Sequence, residues 1–125
     1  MTALADARAH LAKAREFLEA AELSNELGLH NAATSSAVNS AINSKDVICL
    51  ALTGRTNKTE NHNEAVAELK SAGQPGRAVA ASFGRLLSLK PKSQYQAASI
   101  SATDATKAVG WATHLLEVAR TAVET

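Results

Sequence analysis

Residues 31–54 read NAATSSAVNSAINSKDVICLALTG. Wound as a helix at about 100° per residue, this stretch sorts into three faces. Val38, Ile42, Ile48, Cys49 and Leu52 share a broad apolar side, while Ala33, Ser36, Ala37, Ser40, Ser44 and Ala51 form a side of small residues. A narrow stripe of Asn39, Asn43 and Asp46 runs between them at i, i+4 and i+7. A helix with two packing faces belongs at the centre of its domain. The small side lets another helix approach closely and places this one near a dimer interface. The stripe needs partners, because buried polar groups without hydrogen bonds are costly, and is expected to line a cleft or that interface. Asn31 is the expected cap, and Gly54 the stop.

Outward from this segment the chain continues to read as helices. Before it, Leu4, Ala7, Leu11, Ala14, Leu18 and Ala21 alternate at spacings of three and four. They form the seam of a helix from about Thr2 to Leu27, ended by Gly28. After it, Arg55 to Asn61 is a polar loop. Asn61 with Glu64 opens a third helix as a capping box, with Val66 and Leu69 inward and Gly73 at its end. Gln74-Pro75-Gly76 predicts a turn, and a fourth helix follows from about Arg77 to Leu89, with Val79, Phe83, Leu86 and Leu87 inward and Pro91 ending it. Lys92 to Ile100 predicts a loose stretch. Ser101 and Asp104 then cap a last helix whose seam is Ala105, Val109, Ala112, Leu116, Ala119 and Val123. Matching seams at the two ends of the chain predict that the first and last helices pack in one bundle.

Composition agrees. The 125 residues suffice for one domain. Twenty-seven alanines and 14 leucines against four aromatics suit close-packed helices and exclude a sandwich or barrel. The net charge of +1 excludes general electrostatic binding of nucleic acid, but residues 54–93 carry seven bases and three acids, a local patch suited to an anionic partner. The single Cys49, in an apolar run, excludes a disulfide framework and a cysteine zinc cluster and is expected to be buried and inert. No run of 18 apolar residues exists to span a membrane. The first residues lack a signal peptide's basic start and apolar run, which predicts a cytoplasmic protein.

One segment, Gly54 to His62, combines an arginine with a histidine. Capping puts His62 at the first position of the third helix, where free N–H groups and the helix field favour a neutral imidazole able to accept a proton. Arg55 sits just past the second helix, where its charge suits the dipole. Such a pair fits an RNA phosphodiester: the histidine takes the 2′-hydroxyl proton and the arginine stabilises charge on the phosphorus oxygens. No cofactor or metal is needed, because the nucleophile belongs to the substrate. The same two residues also read structurally, as a cap on one helix and a filler at the entry of the next. Elsewhere, His114 and Glu117 read as a surface pair, His10 and His30 as solvent-facing, and Trp111 and Tyr95 as core or interface residues.

Asn31-Ala32-Ala33 through Ala41-Ile42-Asn43-Ser44-Lys45-Asp46-Val47-Ile48-Cys49, then Gly54-Arg55 and His62-Asn63-Glu64-Ala65-Val66, resembles the HEPN domain family of prokaryotic all-α proteins. Leu86-Leu87-Ser88-Leu89-Lys90 to Tyr95 and the alanine-rich helix after it extend the likeness over residues 10 to 123. The family hallmark is an arginine, a polar residue, and a histidine after four to six intervening positions. Arg55, Thr56 and His62 fit it with six. The resemblance implies an all-α, up-down four-helix bundle with a short extra helix, filling residues 1–125 as a single domain. It implies a homodimer in which two Arg/His motifs face one cleft. The implied activity is metal-independent cleavage of RNA, in some members as a toxin with a nucleotidyltransferase-type antitoxin as partner. Arg55 and His62 are then the catalytic pair, and Thr56, Asn39, Asn43, Asp46 and Lys58 support it or bind RNA. The alternative is a non-catalytic helical dimer that binds RNA or a partner protein. Glu64 stands where some toxins carry a tyrosine two residues after the histidine, so control through that tyrosine is not implied.

Overall fold

The computed structural model describes residues 2–124. Among them lie six helices: α1 (Ala3–Glu26), α2 (His30–Thr53), α3 (His62–Ser71), α4 (Gln74–Ser88), α5 (Lys90–Gln94) and α6 (Ala102–Glu124). The all-α expectation holds, with the long α1, α2, α4 and α6 as the up-down bundle and the shorter α3 beside it. Cross-chain contacts give the directions. Ser40 of α2 meets Ala14 of α1, and Asn43 meets His10, so these two helices run antiparallel. Thr106 near the start of α6 meets Asn25 near the end of α1, so α6 descends beside α2.

Caps and stops explain most boundaries. Thr2 accepts the Ala5 N–H at 3.1 Å to open α1. Gly28 and Gly54, both in the left-handed region, end α1 and α2, a conformation that costs glycine nothing. Ser101 accepts the Asp104 N–H at 3.1 Å to open α6. Asn31 departs from expectation. It lies one residue inside α2, which has no side-chain cap, and its Oδ1 accepts the Ile100 N–H at 2.9 Å. That bond pins the segment before α6 against the start of α2.

Four further corrections concern phase and punctuation. Gln74-Pro75-Gly76 is the first turn of α4 rather than a free turn, since proline is pre-set for a helix start and loses no hydrogen bond there. Pro91 follows the end of α4 but opens α5 for the same reason, shortening the loose stretch. In α6 the fully buried line is Ala105, Ala108, Ala112, Leu115 and Ala119, with Val109, Leu116 and Val123 packed at its margin. A 3.6-residue helix drifts off a strict 3.5-residue repeat. In α1 the expected seam is buried from Ala7 to Ala21, while Leu4 remains exposed.

The centre of the molecule is α2, which packs against every other helix. Its small side does not await a second chain. Ala33, Ala37, Ser40 and Ser44 are buried within the protomer, and the Ser40 hydroxyl donates to the Ala14 carbonyl at 2.8 Å. Cys49 is buried as expected, and desolvation pushes its thiol up to about 11, despite the opposing charge of Lys45, so it stays protonated and unreactive. Trp111 packs at the core margin, whereas Tyr95 is exposed. At the α3–α4 corner Gly76 is buried, and a Cβ there would overlap the Leu69 carbonyl oxygen. Gly76→Ala is therefore expected to cost at least about 1–3 kcal/mol, the usual penalty of overpacking, read as an earlier urea midpoint. An unchanged midpoint would mean that α3 and α4 do not meet this closely.

Candidate functional site

The loop from Gly54 to Asn61 crosses the face of α2 that carries its only two charged side chains, Lys45 and Asp46. Both are buried. A buried ammonium survives only if its donors are taken, and those of Lys45 are. It donates to Thr56 Oγ1 at 3.1 Å, to the Asn57 carbonyl at 2.9 Å, and to the Glu68 carboxylate of α3. Glu68 in turn accepts the Asn57 N–H at 3.0 and 3.1 Å. Desolvation raises the Glu68 carboxyl, but the Lys45 bond, the Asn57 N–H, the Lys45 charge and the Thr56 hydroxyl outweigh it and hold the group below its ordinary range. One lysine thus fastens the loop at two consecutive residues and ties it to α3.

The network continues toward α1. Thr56 donates to Asp46 Oδ1 at 2.6 Å, and Lys58 donates to Asp46 Oδ2 at 2.9 Å. Lys58 Nζ also lies 2.7 Å from His10 Nε2, and His10 Nδ1 lies 2.8 Å from Asn43 Oδ1. Asn43 completes the chain by donating through Nδ2 to the Asn39 carbonyl at 2.9 Å. His10 is therefore half-buried in this network rather than solvent-facing. The two ammonium groups balance the two carboxylates.

His62 occupies the first position of α3. Asn61 caps the helix, accepting the Glu64 N–H at 3.0 Å. The Glu64 carboxylate accepts the Thr59 hydroxyl at 2.8 Å instead of closing the capping box, and the Asn61 N–H donates to Thr59 Oγ1 at 3.1 Å. His62 is half-buried and lines a cavity of about 180 Å³. Lys58, Lys90 and Glu60 also line it, together with the apolar Ile42, Phe83 and Leu87. Lys45 and Asp46 reach the same cavity from beneath.

Of the residues singled out from the sequence, His62, Lys58 and Asp46 line this cavity, and Thr56 and Asn43 are tied to it through hydrogen bonds. Asn39 contributes its carbonyl. Arg55 is exposed and not part of the lining. Among the described residues it hydrogen-bonds only through its backbone, to the Thr53 hydroxyl. One protomer therefore does not bring Arg55 and His62 to one cavity. Sequence reading missed Lys45, Glu68 and His10. Lys45 carried a signal, as half of the only charged pair in a helix of 24 residues. His10 carried a weaker one, standing three residues after Ala7 and four before Ala14 at the edge of the α1 seam.

His114 and Glu117 are exposed on α6 and line a surface groove with Leu52 and Pro75. Among the described residues no group of three or more histidines, cysteines or acids could hold a metal ion, and no helix is long and apolar enough to cross a membrane. The family model described as the HEPN domain matches residues 7–122. No curated protein matches the chain.

Proposed function

The chain belongs to the HEPN domain family, which includes ribonucleases that often work in toxin–antitoxin systems, and from that premise we propose that it is a metal-independent endoribonuclease whose site is completed across a homodimer. The observation that carries this reading is His62 at the N-terminus of α3, on the edge of a cavity that Lys58 and Lys90 also line. A base able to take a proton stands beside two ammonium groups and a helix N-terminus, all of which favour a phosphate.

His62 removes the proton of an RNA 2′-hydroxyl, the 2′-oxygen attacks phosphorus, and the 5′-oxygen departs. The products are a 2′,3′-cyclic phosphate and a 5′-hydroxyl; the departing oxygen takes its proton from water, and the His62 imidazolium returns its own to the hydroxide left behind. Lys58 and Lys90 hold the phosphate, and Arg55 neutralises charge on its oxygens in the transition state. Support for the composite arrangement comes from Arg55 itself. Exposed, with no side-chain hydrogen bond among the described residues, and outside the cavity of its own protomer, it is available to serve the cavity of another. HEPN domains commonly dimerise and pair with nucleotidyltransferases, and such an antitoxin would act by covering this face.

Cleavage of a labelled RNA by the purified dimer is expected to persist in EDTA and to leave 2′,3′-cyclic or 3′-phosphate ends. Light scattering that shows a monomer at micromolar concentration would remove the composite site. RNA that is bound in a salt-dependent way but never cut would assign the basic segment from Arg55 to Lys92 to binding alone.

A further inference from the structure

We propose that His10 is a positioning residue: neutral and carrying its hydrogen on Nδ1, it accepts a hydrogen bond from Lys58 and holds that ammonium at the cavity lined by His62. The hydrogen-bonding capacities of its neighbours fix this state. Asn43 uses its amide nitrogen on the Asn39 carbonyl, so the oxygen is the atom turned toward His10. That oxygen can only accept, so Nδ1 bears the hydrogen. Lysine has donors and no acceptor, so Nε2, 2.7 Å from Lys58 Nζ, must be bare. Two independent neighbours thus select one tautomer of one charge state.

The consequence for Lys58 is geometric. Its side chain is 59% exposed on a loop, and a free lysine there would sweep many rotamers. Asp46 and His10 take two of its three N–H groups and leave the third for an anion at the cavity. Protonation of His10 would put a hydrogen on Nε2 facing an ammonium, so the bond is lost and two like charges meet. The charged groups around His10 are few. α2 offers Asp46 at 3.9 Å from Nδ1, with Lys45 behind it. The loop offers Lys58, and α1 itself has Asp6 and Lys13 one turn away. Among the described residues the carboxylates of α6, which also packs against α1, form no ion pair with His10. Protonation would therefore free Lys58 from α1.

The tautomer stands on geometry alone. Its effect on RNA rests on the ribonuclease reading, and the two can fail separately. In a long-range proton–nitrogen NMR spectrum of uniformly labelled protein at pH 8, the signals lost in His10→Gln identify His10. They are expected to show the Nδ1–H form in the wild type and a shift toward the Nε2–H form in Lys58→Met. An Nε2–H form in the wild type, or a tautomer indifferent to Lys58→Met, would overturn the proposal whatever the enzyme does. In cleavage assays His10→Leu is expected to raise KM about tenfold, the worth of one charge-assisted hydrogen bond, with kcat little changed. A glutamine amide can donate to Asn43 and accept from Lys58 together. His10→Gln should thus rescue KM to within about threefold. Melting curves establish that both variants fold. Failure of His10→Gln to rescue a folded protein would overturn the positioning role. A correct tautomer in a protein that never cuts RNA would sink the ribonuclease reading and leave this one standing.

Discussion

His62→Ala is expected to slow RNA cleavage by roughly two to four orders of magnitude, the usual scale for a lost general base. Alanine keeps the helical position and leaves the Asn61 cap untouched, since that cap bonds the Glu64 N–H. The fold should melt as the wild type does, and the loss should appear in kcat. Arg55→Ala is expected to cost a comparable factor, about 3 kcal/mol of transition-state stabilisation, with no change in stability because its side chain makes no hydrogen bond among the described residues. A mixture of the two inactive variants offers a sharper check. If the site is composite, heterodimers formed by subunit exchange contain one cavity with both groups, and part of the activity returns. Full activity in His62→Ala would end the proposed chemistry outright.

Lys45→Met is expected to destabilise the protein by about 3–5 kcal/mol, the scale for removing one partner of a buried ion pair. Methionine fills nearly the same space, so the loss is one of charge and hydrogen bonds rather than of packing. Asp46 keeps Lys58, but Glu68, Thr56 and the Asn57 carbonyl all lose their common donor. Because domains of this size are stable by only about 5–15 kcal/mol, urea unfolding should resolve the change easily. The pH dependence gives an independent reading. Glu68 is held below its ordinary range, so its ionised form contributes stability that is full above the unfolded value and is lost as pH falls toward the folded one. Lys45→Met removes the main cause, and its acid limb should be shallower. A variant as stable as the wild type would show that loop 54–61 holds its path without Lys45.

The sequence made the bundle legible because its signals are local and redundant. Gly28 and Gly54 sit where left-handed backbone is required, Asn61 and Ser101 sit where N-caps are required, and the α1 seam repeats often enough to fix its phase. Periodicity could not resolve Leu115 from Leu116, since one residue is only about 100° of rotation and both lie at an apolar boundary. The site was legible in part. His62 could be placed because a cap fixed its helical position, and the Asn39–Asn43–Asp46 stripe marked the side of α2 that the loop crosses. Its partners could not be placed. His10 precedes Asn43 by 33 positions and Lys45 precedes Glu68 by 23, and no local pattern says which helix faces will meet. The small side of α2 misled for the same reason: a face fit for close approach does not say whose helix approaches.

The contact of α2 with every other helix has a consequence for how the chain comes apart. α1 can lift, α5 can fray, or the α3–α4 corner can open, and in each case α2 remains held by the neighbours that stay. No such partial release is open to α2, because withdrawing it uncovers the inner surface of all the others together. Backbone amides from about Ala41 to Leu50 are thus expected to exchange only through global unfolding, and the loop from Gly54 to Asn61 is anchored to the one element with no private opening of its own.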